Sequence, residues 1–579
     1  MSKLYSLAAT LLFPCMAWAQ TNMLSTNAIA EQVMLGNYNP ASYAAANVIA
    51  NPATISADIS NRISTDSLLA YLHGLRSFKN RNTGSDTISA TKGIGAARRW
   101  VYNKFQQFST QNDNRLVVSY LQFDLDICGI TRHSNVMAVL PGSDTTDKSI
   151  VIIEAHIDSR CAGLCDTSCV AEGMEDNGSG TALVMELARV MSKYTFKNTI
   201  VFVAITGEEQ GLAGAEAFAD YAVQKGIKIK AVLNNDVIGG VLCGKTSSPP
   251  SCPGFNEVDS THVRLFSFGG FNSMHKQLAR YIKLEYKEML LPTAAIPMGI
   301  HIMTDEDRTG RGGDHIPFRR NGFAAMRFTS ANEHGNADVT AAGYDDRQHT
   351  SDDILGVDTN GDTIIDSLFV NLRYLARNAT INGNATAMAA QGVKTPSFNF
   401  TYLPSQGSND ISISITDAIG YGSYRVAVRS TGNDWDSVYT FSTKLCTIPN
   451  LPQTNNIVSI AAVDANGIES LFSGEQMGKL SVNNTLANDN NIELLQNIPN
   501  PFDEKTMISV RVQQAFTYSK AHISITDLQG RTIKQLPIQL KAGINEVIYE
   551  HGYNATGVYT YTLVVDGKPL QTNRMVFAN

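Results

Sequence analysis

The sequence predicts an α/β domain with a mainly parallel central sheet, followed by two all-β units. Three observations lead there. Between residues 116 and 234 short apolar runs alternate with stretches of helical period, the pattern of strand–helix–strand units. From about Lys394 the helical period stops and short alternating strands take over. From residue 492 a second set of alternating strands is punctuated by Gly530, Gly543, Gly557 and Gly567. A chain of 579 residues has room for three or four domains at about 100–200 residues each.

Lys3, the apolar run from Leu4 to Trp18 and the step Ala17-Trp18-Ala19 supply the three regions of a signal peptide. Residues 1–19 therefore read as an export signal rather than a buried N-terminal helix. Residues 20–61, rich in Ala, Asn and Ser, read as an N-terminal extension or pro-segment. The α/β domain takes residues 62–392. Asp66 opens a helix to about Leu75, and Gly95 to Phe108 forms another, with Ala96, Ala97, Trp100, Val101 and Phe105 at helical spacing. Strands follow at Leu116–Phe123, Asn135–Leu140 and Ile150–Glu154, then a helix at Gly178–Ser192, a strand at Thr199–Ile205, a helix at Leu212–Val223 and a strand at Ala231–Asn234. Residues 394–480 read as a β-sandwich. Residues 481–491, with five asparagines, read as a linker, and residues 492–579 as the last β unit.

Composition excludes several classes. Lys+Arg number 46 against 53 Asp+Glu, a net charge of −7, so no basic excess offsets phosphate and a nucleic-acid partner is not expected. Hydrophobic residues make up 43%, too many for a disordered chain at this charge. After residue 19 no stretch approaches the roughly 18–20 apolar residues of a membrane span. The mature chain is thus expected to be exported and soluble, in a compartment where disulfides form. Loss of Cys15 with the signal leaves Cys128, Cys161, Cys165, Cys169, Cys243, Cys252 and Cys446, an odd set that keeps at least one thiol out of intrachain pairs. The spacing of Cys161, Cys165 and Cys169 has no CxxC pair or interleaved histidine, which favours disulfides over zinc.

The chemistry collects at strand ends. Ala155-His156-Ile157-Asp158-Ser159 directly follows an apolar strand, where open α/β sheets bind ligands. Asp158 is placed to accept from the second imidazole nitrogen and fix the tautomer. Glu175-Asp176-Asn177-Gly178-Ser179-Gly180 precedes a helix, and Asp176 is suited to bridge two cations. Glu208 and Glu209 follow the next strand; adjacent side chains point to different sides, so one can bind metal while the other handles protons. Asn234-Asn235-Asp236 and His349-Thr350-Ser351-Asp352 complete the set. Each motif alone has a structural explanation as a cap, a turn or a solvated pair. Four consecutive strand ends offering metal-type ligands do not. His156, Asp176, Glu209, Asp236 and His349 suit paired divalent metals, most plausibly zinc.

In order and spacing these motifs resemble the co-catalytic zinc aminopeptidases of peptidase family M28, over roughly residues 62–390. The resemblance implies a three-layer α/β/α sandwich. It implies one zinc on His156 and Asp236, a second on Glu209 and His349, Asp176 bridging, and Glu208 as general base and acid. Gly313-Asp314-His315-Ile316-Pro317-Phe318 resembles a further family segment, which makes Asp314 and His315 candidates for substrate contact. The chain departs from the family pattern at residues 160–174, where three cysteines fall between two metal motifs. Asp358, Asn360, Asp362 and Asp366 place oxygen ligands as a calcium loop would, though a plain turn fits better. Asn500-Pro501-Phe502, Thr506, Ile525, Asp527, Gly530, Arg531, Gly543, Gly557, Tyr559 and Tyr561 look like the C-terminal sorting domain of the type IX secretion system, which implies that machinery as a partner. Residues 394–480 resemble a fibronectin type III domain.

These readings combine into a secreted dizinc exopeptidase acting on peptide or protein substrates, most plausibly an aminopeptidase. The alternatives are a carboxypeptidase or dipeptidase on the same metals, glutaminyl cyclisation, and a non-catalytic surface binding protein.

Overall fold

Strand Ile150 to Ala155 has no polar side chain except Glu154, and in the computed structural model its neighbours alternate cleanly between two cores. Ile150 and Ile152 face one side, Val151, Ile153 and Ala155 the other. A strand covered on both faces reads as a continuous apolar run, which is what the sequence shows here. The structure describes residues 20–244, 254–307, 312–332, 346–362, 364–405, 408–430, 432–449, 451, 456–478, 492–502, 505–527, 531–551 and 556–578. The proposed signal peptide, the 481–491 linker and Cys252 lie outside them.

Nine strands form the central sheet: β1 (Thr21–Ser25), β2 (Val117–Ile127), β3 (Ile130–Leu140), β4 (Ser149–His156), β5 (Thr199–Ile205), β6 (Lys228–Asn235), β7 (His262–Phe266), β8 (Gly299–Ile302) and β9 (Ala325–Ser330), in the order β1-β2-β3-β5-β4-β6-β9-β7-β8. Nine α-helices accompany them among the described residues: α1 (Ala28–Met34), α2 (Pro52–Arg62), α3 (Thr65–Arg76), α4 (Gly93–Gln111), α5 (Gly180–Met191), α6 (Ala213–Lys225), α7 (Met274–Glu285), α8 (His315–Arg320) and α9 (Leu372–Gln391). Residues of α3, α4, α5, α7 and α9 join one core, and residues of α1, α6 and α8 join the opposite one.

The sheet is mixed rather than mainly parallel. Pairs β5/β4, β4/β6, β6/β9 and β7/β8 are parallel; β1/β2, β2/β3, β3/β5 and β9/β7 are antiparallel. The reason is local. β2 and β3 are joined by Cys128 and Gly129 alone, with φ of 52° and 81°, and a two-residue turn of that kind closes only an antiparallel hairpin. The parallel centre, β5-β4-β6-β9, is the part that carries the motifs.

Residues 20–61 are not set apart from the domain. β1 pairs with β2 at the sheet edge, and Ala30, Val33 and Met34 of α1 pack beneath the sheet. Asn27 accepts the amide of Ile29 and Asn51 that of Thr54, capping α1 and α2 as short polar residues before helices do. The sparse apolar residues of this segment hid its amphipathic spacing.

Two all-β units follow, each a three-stranded sheet against a four-stranded one. The first docks firmly on the α/β domain: Glu475 accepts from Arg280 at 2.8 Å and from Arg429 at 2.6 Å, with all three side chains at most 3% exposed. Cys128–Cys165 and Cys161–Cys169 are disulfides, Cys243 is also disulfide-bonded, and Cys446 is a buried free thiol. No helix among the described residues is long and apolar enough to cross a membrane.

Candidate metal centre

His156 is the last residue of β4, and Asp236 follows the last residue of β6, its parallel neighbour. Asp176 sits in the Met174–Ser179 turn that leads into α5. Glu208 and Glu209 lie in the loop after β5, and His349 in a loop at φ 58°. Five chain segments that are remote in sequence thus meet at one end of the parallel strands, the edge where such sheets bind ligands.

His156 Nε2 lies 3.2 Å from Asp176 Oδ1 and 3.2 Å from Asp236 Oδ1. His349 Nε2 lies 3.2 Å from Asp176 Oδ2 and 3.3 Å from Glu209 Oε2. Asp176 therefore gives one oxygen to each imidazole. Two triads result, His156/Asp176/Asp236 and Asp176/Glu209/His349, each with ligand atoms within 4.8 Å of one another and all five residues buried. Ligands at roughly 2.0 Å around a tetrahedral zinc stand about 3.3 Å apart, close to these separations. The donor set of imidazole nitrogen and carboxylate oxygen is the type zinc takes. Glu209 Oε1 is buried with no hydrogen-bond partner among the described residues, as a ligand atom is before its cation arrives.

The electrostatics ask for positive charge. Burial works against charge on His349, yet Glu209 and Asp176 hold it up at about 9. Burial likewise opposes charge on His156, and Asp236, Glu208 and Asp176 hold it well above the ordinary imidazole value. Burial would raise Asp176, but hydrogen bonds from both imidazoles hold it well below the usual carboxylate range. Glu208, 4.0 Å from His156 Nε2, is pushed up to about 8, first by burial and then by Asp236 and Glu209, against the pull of His156. A carboxyl poised there takes and returns a proton near neutral pH.

Several supports were not legible in the sequence. Arg327 of β9 is fully buried; its Nη2 lies 3.0 Å from Asp236 Oδ2, while Nη1 reaches Asp307 at 2.9 Å and the Gly312 carbonyl at 3.1 Å. This leaves Asp236 Oδ1 for a cation. Asp353 accepts the backbone amides of Glu175 at 2.8 Å and Asp176 at 3.0 Å and so fixes the bridging turn. Arg81 donates to the carbonyls of Ile157 and Gly173 and ties the first two motifs together. Arg160 donates from Nε to Glu209 Oε2 at 2.7 Å, and its Nη2 lies 2.7 Å from His349 Nδ1. It begins a loop closed by Cys161–Cys169 and fastened to the β2–β3 turn by Cys128–Cys165. The three cysteines at 161, 165 and 169 are thus disulfide-bonded, as their spacing suggested.

Other expected residues behave differently. It is the backbone carbonyl of Asp158 that meets His156 Nδ1, at 3.1 Å; its carboxylate is 3.7 Å away. That carboxylate instead accepts the amides of Gly207 and Glu209 and the Thr83 hydroxyl, which orders the Glu208–Glu209 loop. Asp158 is therefore a positioning residue, because the strand carries its side chain toward the neighbouring loop. Asp314 and His315 are fully buried, and His315 Nε2 meets the Glu306 carbonyl. Asp358, Asn360, Asp362 and Asp366 form no cation cluster among the described residues. Asp358 accepts the amides of Asn360 and Gly361, and Asp366 those of the Thr359 backbone and hydroxyl, so the turn itself uses these oxygens.

Comparison with known proteins agrees with this geometry. Residues 135–368, which hold every ligand and Glu208, match the family model "Peptidase family M28". A protein of Leptosphaeria maculans named "Probable zinc metalloprotease" is 30% identical over 385 residues, covering 64% of this chain and 84% of that protein. One of the same name from Pyricularia oryzae is 30% identical over 430 residues, covering 69% and 80%. Among solved structures, the LapA aminopeptidase of Legionella pneumophila aligns at 20% identity and a TM-score of 0.42, covering 59% of this chain and 75% of that one. Strand-end ligands in the family's order, on a chain that spans most of a relative at this identity, lead to one conclusion: the chain belongs to peptidase family M28.

Proposed function

We propose that the protein is a secreted zinc aminopeptidase with two zinc ions, one on His156 and Asp236, the other on Glu209 and His349, with Asp176 bridging. The observation that carries this reading is the pair of buried triads sharing Asp176, with Glu208 beside them. Bound there, zinc supplies a Lewis acid for the scissile carbonyl and acidifies water. Glu208 takes the proton of the attacking water and returns it to the departing amine, a role its raised affinity for protons supports. Asp158 and Thr83 hold the Glu208 loop, Asp353 holds the Asp176 turn, and Arg327 holds Asp236. The names of the relatives support zinc, and the retained ligand set argues against a non-catalytic role.

The flanking readings belong to the same proposal. Residues 1–19 direct export, 394–480 form a fibronectin type III-like module, and 492–579 act as a sorting domain for the type IX secretion machinery. The two β-sandwiches support the last two assignments by class alone.

The test is Glu208→Gln. Hydrolysis of free-amine peptides should fall by roughly 10²–10⁴-fold while zinc stays at two per chain by mass analysis. Retained turnover, or loss of zinc together with turnover, would remove Glu208 from this role. N-blocked peptides should resist the wild type; their cleavage would favour the carboxypeptidase reading.

A further inference from the structure

The chain turns sharply as it leaves Asp236. Val237 has a φ of 53°, in the left-handed region, where a side-chain Cβ crowds the backbone. Among the described residues it is the one β-branched residue there. It is fully buried, yet it belongs to neither of the apolar cores that flank the sheet. A conformation of this kind persists only where the surroundings over-determine it. Two sets of hydrogen bonds do so here. On the β9 side, the Phe328 carbonyl accepts the Asp236 amide at 3.2 Å, and the Val237 carbonyl accepts the Ser330 amide at 2.8 Å and the Ser330 hydroxyl at 2.9 Å. On the side of the Met174–Ser179 turn, the Ser179 hydroxyl accepts the Ile238 amide at 3.2 Å and donates to the Glu175 carbonyl at 2.7 Å. Residues 236–238 thus bridge β9 and the turn that carries Asp176. One oxygen of Asp236 and one of Asp176 each lie 3.2 Å from His156 Nε2. With an ordinary negative φ at 237 the chain would leave Asp236 in another direction. The Ile238 amide would then reach Ser179 only if Asp236 turned away from His156.

We infer that Val237 is a positioning residue: its left-handed backbone sets Asp236 against Asp176 and thereby sets the zinc affinity of the first triad. The inference rests on the zinc reading of the site and adds a residue that binds no metal itself. Glycine takes this conformation at no steric cost, and proline forbids it, because its ring fixes φ near about −65°.

The experiment uses the full chain, stripped of metal and reloaded. Zinc uptake by the wild type is measured first, by mass analysis. Chelator competition then reads the first triad alone in a His349→Ala background and the second alone in an Asp236→Ala background. In the first background Val237→Gly should bind zinc as its parent does, and Val237→Pro should bind it about 10-fold more weakly or worse. In the second, Val237→Pro should leave the affinity unchanged. Equal losses in the two triads, or no loss from proline in the first, would overturn the inference. So would a loss from glycine as large as that from proline, since the side chain rather than the backbone would then matter. Should Val237→Pro not fold, melting of metal-free Val237→Gly and Val237→Ala decides. Glycine should melt at or above alanine, the reverse of their order where φ is negative; glycine melting lower overturns the inference. A wild type that takes up no zinc overturns the zinc reading and the inference with it. A wild type that takes up two, with the proline variant matching it, overturns the inference alone.

Discussion

The two halves of the metal centre are built on different supports. His156 and Asp236 sit at the ends of neighbouring strands in the middle of the sheet, and Arg327, from the next strand, holds the outer oxygen of Asp236 from a fully buried position. Glu209 and His349 sit on loops, and the arginine that holds them, Arg160, begins a loop fixed by disulfides. The first half is set by the core and the second by covalent staples at the surface. A cation meets a preformed site in the first half. In the second it meets Arg160 already bonded to the Glu209 oxygen that faces His349.

The largest expected contrast comes from exchanging each arginine for methionine. Arg327→Met takes the buried guanidinium away from Asp236, and breaking a buried pair in this way costs about 3–5 kcal/mol. Arg160 is 14% exposed where Arg327 is fully buried, so Arg160→Met should cost less stability than Arg327→Met. Denaturant unfolding of the two variants reads the difference, and zinc titration should show the first site weakened in one and the second altered in the other. Similar losses in both would mean that the halves are equally core-borne.

Next in size is the staple itself. Cys128–Cys165 closes a 37-residue separation, and loop-closure entropy for that length is worth about 4 kcal/mol at most, with engineered cases often lower. Replacing both cysteines by serine should lower stability by roughly 2–4 kcal/mol and weaken the second zinc more than the first. Equal weakening of both would contradict the separate supports. Near-wild-type stability would mean that the side-chain amides of Asn82 and Gln210, which both donate to the Leu164 carbonyl, suffice to hold the loop.

The sequence foretold one half of this comparison far better than the other. The strand-end ligands were legible because each follows a short apolar run, and a run that is buried on both faces announces its own end. The parallel centre was legible for the same reason. Arg327, Arg160 and Asp353 were not, because their meaning is a contact between segments that are 91, 49 and 177 residues apart. Nothing local marks an arginine on a strand as the partner of a ligand. Asp158 shows the converse: a residue two positions from a ligand invites a local hydrogen bond, while the fold sends its carboxylate to the amides of another loop. The place of β1 at the sheet edge was not legible either, because it comes from pairing with β2, about 100 residues away.

The smallest effect separates the halves by pH. In metal-free protein the His349 imidazole is held at about 9, above its ordinary value near 6.5. A group raised on folding gives its full stabilisation below the unfolded value and loses it as pH rises through the folded one. His349 thus stabilises metal-free protein at pH 6.5 and ceases to do so by about pH 9, with a loss of roughly 2 kcal/mol by pH 8. The raised carboxyls act in the same direction: Glu208, at about 8, and Asp353, at about 7, cost more as pH climbs above their unfolded values. Zinc removes the imidazole contribution, because a ligating histidine has given up that proton. Chelator-treated protein should therefore melt at lower temperature as pH goes from 6.5 to 8.5, and zinc-loaded protein should not. His349→Ala in the metal-free state should flatten part of that decline, and the slope that persists belongs to the His156 half and the carboxyls. A metal-free melting temperature as level as the loaded one would show that the imidazoles are not charged there, and that Arg160 alone balances Glu209.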